Sequence, residues 1–364
     1  MKSTTRKISL ILAGIVFVIF AFSAYSWKLW NSSYDSKEVV SNKATVLLRV
    51  PAGASLFDVV DSLQVKKLIF SQRLFVYGTK LSGLQSSIKA GLFAIPLKSS
   101  PSEILRIITS GHSVPLRVTI PEGIDAIETA NILSVAFGFS AQQFLADADS
   151  ITSLIIDMSE ADLSSYKELL KSGAGCSRTL YLCEGYLFPE TYHFSEGTTS
   201  LVVAKSIIEL GAARVADLLA SPISDCENMS IHEALTLASI VEAETIFQSE
   251  KPKVAAVYLN RMRENHSLEA DPTIAFFLSK KGKRIYYKDL RKLSPYNTYR
   301  NKGLPPGPIN SPGYVAIRSV VQPEPNFDAF YFVADGKGGH RFSDTLKEHN
   351  QASAEYRKIR DNAR

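Results

Sequence analysis

Cysteine is scarce in this sequence: Cys176, Cys183 and Cys226 are the only three among 364 residues. Their spacing matches no zinc-binding pattern, and the sequence suggests no Cys-His pair, so we predict neither a metal site nor a catalytic thiol. Because the count is odd, at least one thiol has no partner within the chain. Cys176 and Cys183 are near enough in sequence to form a disulfide, and the sequence leaves that pairing open.

The sequence also lacks a strong excess of charge of one sign. The net charge is +5, and no dense basic stripe interleaved with aromatic residues is present, so nucleic acid is not a predicted partner. The glycine-rich segment 335–340 lacks the Gly-Lys-Ser/Thr of a phosphate-binding loop. With neither a phosphate loop nor a metal pattern, no cofactor is predicted.

One long hydrophobic run stands near the N-terminus. Residues 8–27 contain no charged side chain, and at about 1.5 Å per helical residue they cross a hydrocarbon core of about 30 Å. Basic residues precede the run, so the positive-inside rule predicts a cytoplasmic segment 1–7, a transmembrane anchor 8–27 and an extracytoplasmic remainder. A cleaved signal peptide is the alternative, but the run exceeds the usual apolar length of about 7–15 residues. Polar residues 28–43 predict a linker that spaces the globular part from the bilayer.

Two stretches of the chain repeat one pattern. The turn Val-Pro-Ala-Gly at 50–53, followed by Leu63, matches Ile-Pro-Glu-Gly at 120–123, followed by Leu133. Each copy predicts a strand (44–50 or 116–120), two amphipathic helices and a returning strand. Looser matches link 91–93 with 185–188, and the Ile-Ile pair and glycine at 107–111 with those at 207–211. In the second copy, an insertion at 145–179 precedes the returning strand.

Two glutamates, Glu242 and Glu244, interrupt an apolar helical run at 237–245. Ser230 and Glu233 have capping-box spacing, which predicts that the helix begins at Ile231. Burial of a carboxyl group favours its protonated form, which a general acid needs at neutral pH. Both glutamates project near apolar neighbours, so the helical pattern does not decide between them.

Further polar motifs predict the walls of a substrate cleft. The string Tyr-Asn-Thr-Tyr at 296–299 offers groups that hydrogen-bond and stack on sugars. Asp-Pro-Thr at 271–273 either holds a sugar or caps a helix that begins near Thr273. Segment 303–309 predicts a rigid loop, and 184–192 predicts a strand beside the acidic helix. The candidate substrate-binding residues are Glu184, Tyr186, Asp271, Thr273, Tyr296, Asn297, Thr298 and Tyr299.

The C-terminal part predicts a hairpin and a closing helix. An apolar strand at 330–333 and the glycine-rich turn at 335–340 form the hairpin, and a helix follows at 344–360. His340 is interpreted as a packing residue of this turn. With the strands and helices of the repeats, this pattern places the chain in the α+β class.

In their order, the strings at 237–245, 271–273, 296–299, 303–309 and 332–340 closely resemble those of the endolytic murein transglycosylase family. The resemblance covers roughly residues 45–358. It implies a single-pass protein of the bacterial inner membrane, with a LysM-like domain at 44–114 and a mixed α+β catalytic domain at 115–364. It also implies Glu242 as the catalytic residue, peptidoglycan glycan strands as the substrate, and peptidoglycan synthases as neighbours.

The resemblance implies a reaction that uses no water. The C6 hydroxyl of N-acetylmuramic acid attacks its own C1, which breaks the β-1,4 bond to N-acetylglucosamine and leaves a 1,6-anhydro end. Glu242 would first protonate the glycosidic oxygen and then accept the proton of that hydroxyl. Endolytic cuts of this kind would set glycan length during wall elongation. Two alternatives stay open: a water-using muramidase in which Glu184 or Asp271 is the base, and a wall-binding scaffold without catalysis.

Overall fold

The computed structural model describes residues 2–32, 45–51, 53–220 and 229–362. These residues form a mixed α+β structure with thirteen α-helices and three two-stranded sheets. The chain divides into two compact units, Met1–Arg117 with His193–Thr198, and Val118–Tyr192 with Thr199–Arg364. The α+β class predicted from the sequence is confirmed.

The elements follow one another along the chain in this order: α1 Lys2–Asn31, β1 Thr45–Val50, α2 Leu56–Val65, α3 Gln72–Leu81, β2 Gly91–Pro96, α4 Pro101–Ser110, β3 Leu116–Thr119, α5 Ala126–Phe137, α6 Ala141–Ile155, α7 Glu160–Lys171, β4 Thr191–Phe194, α8 Ser200–Leu219, α9 Ile231–Glu244, α10 Lys251–Arg263, α11 Asp271–Phe277, α12 Tyr314–Val321, β5 Tyr331–Ala334, β6 His340–Ser343 and α13 Leu346–Asn362.

The N-terminal helix α1 is long enough and apolar enough over Leu12–Asn31 to cross a membrane. It continues through residues 28–31, which were predicted to belong to the linker. Packing explains the extension, because Trp30 lies against Phe75 of α3 with ring centroids 5.7 Å apart. The rest of the predicted linker, residues 33–43, lies outside the described residues.

The first unit has the predicted order of strand, two helices and strand. Strand β1 is antiparallel to β2, with Leu48 opposite Phe93, and both of these side chains are fully buried. Phe75 of α3 joins them in one apolar core. Helix α4 completes this unit with a capping box at Ser100 and a left-handed Gly111 at its C-cap.

The second copy of the repeat is confirmed in its element order but not in two of its boundaries. Strand β3 pairs with β4, and α5 and α6 stand between them in sequence. The insertion begins after Ile155, where α6 ends, rather than at residue 145. Segment 185–188 is a turn and not the returning strand, because Gly185 adopts a φ of 80° and ladder pairing begins only at Thr191.

Helix α9 lies at the centre of the second unit. Its predicted start is confirmed, since Ser230 caps the backbone N–H of Glu233 and the Glu233 side chain caps that of Ser230. Its residues from Ala234 to Val241 are all buried, so this part of α9 is enclosed on every face, including the polar side chains of Thr236 and Ser239. The chain leaves the helix at Thr245 in an extended conformation, which puts Glu242 and Glu244 in the final turn.

The predicted C-terminal elements are also present. Strands β5 and β6 form an antiparallel hairpin with Phe332 opposite Phe342. His340 is held within it by Glu250, whose carboxylate accepts from His340 Nδ1 at 2.9 Å. Helix α13 begins and ends two residues later than the pattern predicts.

Candidate active site

A cleft of about 570 Å³ opens at the C-terminal end of α9 in the second unit. Its walls come from the turn at 122–125, the first turns of α11, the segment 279–285 and the loop at 309–310. The ionisable side chains that line it are Glu122, Asp125, Arg178, Glu242, Glu244, Asp271, Lys281 and Lys283. Both glutamates of the acidic pair therefore line this cleft.

Glu242 is fixed in this cleft by one cation and one backbone amide. Lys251 Nζ donates to both carboxylate oxygens at 2.8 Å, and the N–H of Gly313 donates to Oε2 at 3.0 Å. The Lys251 side chain is 1% exposed and that of Glu242 is 10% exposed. An ammonium and an N–H stabilise a carboxylate in its charged form, so the isolated, desolvated acid expected from the sequence is corrected to a paired one.

Lys251 is the principal residue of the site that sequence reasoning missed. It is the first residue of α10, with Glu250 at the N-cap. The helix macrodipole disfavours a cation in the first turn, so a lysine there needs a compensating anion. A lysine at the first position of a helix is therefore the signal in the sequence that an anion lies nearby, and Glu242 supplies that anion.

Two glycines lie in the turn and the loop beside Glu242. Gly123 has a φ of 71° and lies against the Glu242 side chain, while its N–H donates to the carbonyl of Ser311 at 2.8 Å. At Gly313, a side chain would have to displace the carboxylate of the exposed Glu122. The loop 303–309 has no regular secondary structure, as predicted, and Asn310 ties its end to α9 by donating to the carbonyl of Ser239 at 2.8 Å.

Glu244 lines the same cleft in a different electrostatic state. Burial raises the pKa of Glu244 to about 7, and the nearby charge of Asp271 acts in the same direction. Its Oε1 accepts a hydrogen bond from Tyr258 at 2.5 Å. Glu244 is therefore largely protonated at mildly acidic pH, whereas Glu242 has a cationic partner.

Asp271 lines the cleft, and Tyr299 lies beside Asp271 without lining the cleft itself. The Tyr299 hydroxyl donates to Asp271 Oδ1 at 2.8 Å, and Asp271 is exposed. Helix α11 begins at Asp271 with Ala270 at its N-cap, so the alternative in which Asp271 caps a helix starting near Thr273 is wrong. Contact between these two side chains and a sugar stays a prediction.

Four of the predicted substrate-binding residues lie in the interior, beneath the walls of the cleft. Thr273 donates to the carbonyl of Ala270 at 2.7 Å, and Asn297 donates to the carbonyls of Leu290 and Lys292. These hydrogen bonds hold irregular backbone in place. The buried members of this group are Thr273, Tyr296, Asn297 and Thr298. Their side chains do not line the cleft.

Tyr186 and Glu184 are buried as well, in the turn that replaces the predicted strand at 184–192. Tyr186 donates to His232 Nδ1 at 2.9 Å, and His232 Nε2 donates to the carbonyl of Pro306 at 2.8 Å. Because Tyr186 is 2% exposed, its ring offers no face for stacking on a sugar. Its role here is to join the turn to α9 and to the 303–309 loop.

Glu184 is enclosed on all sides. Its Oε1 accepts from the N–H of Ala126 at 3.0 Å, and Arg178 lies 3.7 Å from Oε2 while pairing more closely with Asp125 at 2.9 Å. Burial raises the pKa of Glu184 to about 8, although Arg178 opposes this. Glu184 does not line the cleft, which removes it as a base that could activate water there.

The buried Glu184 predicts a pH-dependent stability. Its carboxyl group binds a proton more tightly in the folded chain than in the unfolded chain, where the pKa is about 4.5. Its contribution to the free energy of unfolding is therefore full below about pH 4.5 and is lost as the pH rises through about 8. We expect Glu184→Gln to flatten the fall of Tm between pH 5 and pH 8, measured by calorimetry.

The control for this measurement is Glu168→Gln, because Glu168 is 70% exposed in a surface ion pair. It should leave the slope of Tm against pH unchanged. Glu244 also lowers Tm as the pH rises through about 7, so part of the slope of Tm against pH persists in Glu184→Gln. An unaltered slope in Glu184→Gln would show that Glu184 is ionised in the folded protein.

Cys176 and Cys183 are both free thiols, so the disulfide left open by the sequence is not formed. Cys183 is fully buried, and burial raises the pKa of its thiol. Cys226 lies outside the described residues. Across the described part of the chain, no three His, Cys, Asp or Glu side chains are grouped as metal ligands.

Comparison with known proteins places these features in a family. A Bacillus subtilis (strain 168) protein named endolytic murein transglycosylase is 30% identical over 318 residues, covering 86% of each chain. A Streptococcus pneumoniae (strain R6) protein of the same name is 29% identical over 335 residues, and the match spans 87% of this chain but only 59% of that relative. A crystal structure of a YceG-like protein from Listeria monocytogenes superposes with a TM-score of 0.53 at 28% identity, covering 85% of this chain and 99% of that one. Residues 48–355 match the YceG-like family, and the chain belongs to that family.

Proposed function

We propose that this protein is an endolytic lytic transglycosylase that cuts the glycan strands of peptidoglycan, with Glu242 as the catalytic residue. The observation that carries the proposal is the setting of Glu242, at the end of a buried helix, open to a cleft and held by Lys251 and Gly313. The relatives named endolytic murein transglycosylase support the reaction class.

In the proposed mechanism, Glu242 and Lys251 share the proton that catalysis requires. A glycan that covers the cleft excludes water, and desolvation disfavours two separate charges relative to the neutral pair. A proton then passes from Lys251 Nζ to Glu242, which donates it to the glycosidic oxygen as the C1–O bond breaks. The carboxylate so formed takes the proton of the C6 hydroxyl while that oxygen bonds to C1, and the original pair is regenerated.

This mechanism needs neither water nor a second ionised carboxylate. The attacking hydroxyl belongs to the sugar that is already bound, so the step has the orientational advantage of an intramolecular reaction. Asp271 and Tyr299 would contact the sugar at the edge of the cleft. Endolytic cutting near peptidoglycan synthases would then set glycan length.

The remaining parts of the proposal concern the arrangement of the chain. Helix α1 would anchor the protein in the bacterial inner membrane, with residues 1–7 cytoplasmic. Residues 44–114 would form a LysM-like domain, and residues 115–364 the catalytic domain. The β1-α2-α3-β2 order of the first unit supports the former assignment, and the cleft at Glu242 supports the latter.

The test is mass spectrometry of the products released from purified sacculi by the full chain in detergent. The expected products carry 1,6-anhydro-N-acetylmuramic acid ends and incorporate no ¹⁸O when the reaction runs in labelled water. Free reducing ends that contain ¹⁸O would replace the proposal with a muramidase. Binding without cleavage would replace it with a wall-binding scaffold.

One observation favours the muramidase as the second candidate: Asp271 and Glu244 line the same cleft as Glu242. A hydrolase needs one protonated and one ionised carboxyl group on opposite sides of the scissile bond. Glu242 would be its acid and Asp271 its base. Glu184, the other base considered from the sequence, is buried away from the cleft.

A further inference from the structure

A second groove lies in the first unit, between the anchor helix α1 and helix α3. It has a volume of about 350 Å³. Helix α1 contributes Phe22, Ser23, Ser26, Trp27 and Trp30, and the other wall is residues 74–82. The groove is thus formed in part by a helix that is apolar enough to cross a membrane.

Tight contacts fix α3 to the last turns of α1. The Trp30 ring covers Gly78 so closely that a side chain there would collide with it, and it also lies against Phe75. Ser102 of α4 donates to Asn31 Oδ1 at 3.0 Å. Helix α1 is unbroken up to Asn31, so the depth of the anchor in the bilayer also sets the depth of α3.

The groove residues of α1 indicate that depth. Phe22 and Trp27 both belong to the predicted membrane span, and a rise of about 1.5 Å per residue separates them by about 7.5 Å along the helix axis. If Trp27 lies at the outer interface, where tryptophan concentrates, Phe22 lies within the hydrocarbon. Leu81 and Tyr77 of α3 close the same groove, so they lie at the level of the outer leaflet.

The exposed face of α3 has the chemistry of an interfacial helix. Tyr77 is 61% exposed and Leu81 is 71% exposed, and Phe57 of α2, which lines a shallow pocket with Tyr77, is 62% exposed. The two charged residues of α3, Arg73 and Lys80, are both basic and both exposed. Long basic side chains at such a level extend to lipid phosphates while their stems cover apolar surface.

We propose that α3 is an interfacial membrane helix whose Tyr77 and Leu81 face, together with Phe57, lies in the outer leaflet, with lipid chains filling the groove against α1. Arg73 and Lys80 then contact anionic headgroups. The first unit then lies on the membrane surface and is not held away from it by a linker. This inference depends on α1 crossing the membrane and is independent of the catalytic proposal.

The chain has two tryptophans, Trp27 and Trp30, and both line this groove. This allows a fluorescence test on the full chain, reconstituted in vesicles of phosphatidylcholine and phosphatidylglycerol. Tyr77→Trp adds one reporter on α3, and its signal is obtained by difference from the parent protein. Tyr287→Trp is the matched reference for a water-exposed tryptophan, because Tyr287 is 86% exposed in the second unit.

We expect brominated lipids to quench the Tyr77→Trp signal and iodide in the outer solution to leave it unchanged. Leu81→Trp gives a second reporter on the same face and should behave alike. Reporters at both positions that iodide quenches and brominated lipids do not would overturn the proposal. Parent tryptophans that brominated lipids fail to quench would also overturn it, since α1 would then not be inserted.

Discussion

Replacing Glu242 by glutamine is expected to lower the rate of glycan cleavage by about 100-fold to 10,000-fold, the usual loss when general acid catalysis is removed. Glutamine keeps the size of the side chain, and its one amide oxygen can still accept a hydrogen bond from Lys251, but the amide has no acidic proton to donate to the glycosidic oxygen. The measurement is the initial rate of release of anhydro-muropeptides from purified sacculi at saturating protein. Circular dichroism should show the same secondary structure as in the parent.

The control for this experiment is Glu244→Gln. Burial raises the pKa of Glu244 to about 7, so the group is largely neutral at mildly acidic pH, where glutamine reproduces its state and can still accept the hydrogen bond of Tyr258. We expect the cleavage rate to change much less than in Glu242→Gln. If the control loses activity while Glu242→Gln keeps it, the general acid is Glu244, the alternative that the helical pattern left open.

Local patterns predicted the scaffold of the site well. The capping box of Ser230 and Glu233 fixed the first residue of α9, since both hydrogen bonds are made between residues three apart. The pair Glu242 and Glu244 could then be placed on the last turn, because the helix is continuous. The hairpin of β5 and β6 followed in the same way from an apolar strand and a glycine-rich turn.

The partners of Glu242 could not be predicted in this way. Gly313 stands 71 residues further along the chain, and its backbone N–H carries no signal in the side-chain sequence. Lys251 is nearer, nine residues away, but the direction in which its side chain points depends on how α10 packs against α9. Contacts between separate elements depend on tertiary packing, which local periodicity does not encode.

The string at 296–299 shows a different limit of sequence reasoning. Amide, hydroxyl and aromatic groups are typical of sugar sites, yet Tyr296, Asn297 and Thr298 are buried. The chain between α11 and α12 has no regular secondary structure long enough to satisfy its own backbone, so buried carbonyls and amides take side-chain partners instead. Asn297 and Thr298 supply such partners. The same residue types would also suit a sugar-binding site, so the sequence could not distinguish the two roles.

The repeat misled the prediction where its match was shortest. Segments 91–93 and 185–188 share a glycine and two apolar residues, and the first begins strand β2. In the second copy, Gly185 lies directly against Pro308, so the glycine there permits a close approach of two loops. A three-residue similarity therefore did not distinguish a strand from a turn.

Replacing Lys251 by methionine is expected to destabilise the fold by about 3–5 kcal/mol, because it leaves the Glu242 carboxylate without its cation in a mostly buried place. For a unit of this size, each kcal/mol lowers Tm by about 2–4 °C, so the expected fall in Tm is roughly 6–20 °C. The cleavage rate should fall as well, since the proposed mechanism draws the proton of Glu242 from Lys251. Lys171→Met is the matched control, because its ion pair with Glu168 is 72% and 70% exposed and should contribute less than about 1 kcal/mol.

The double variant Glu242→Gln with Lys251→Met decides whether the pair itself is the cause. Glu242→Gln alone also leaves a charge unpaired, in this case the ammonium of Lys251 at 1% exposure. Removing both charges leaves a neutral amide beside an apolar chain, which should be more stable than the sum of the two single losses implies. Thermal unfolding of the parent, the two single variants and the double variant gives the coupling energy between residues 242 and 251. Losses that simply add would mean that Lys251 and Glu242 are solvated independently, and the shared proton in the proposed mechanism would have no physical basis.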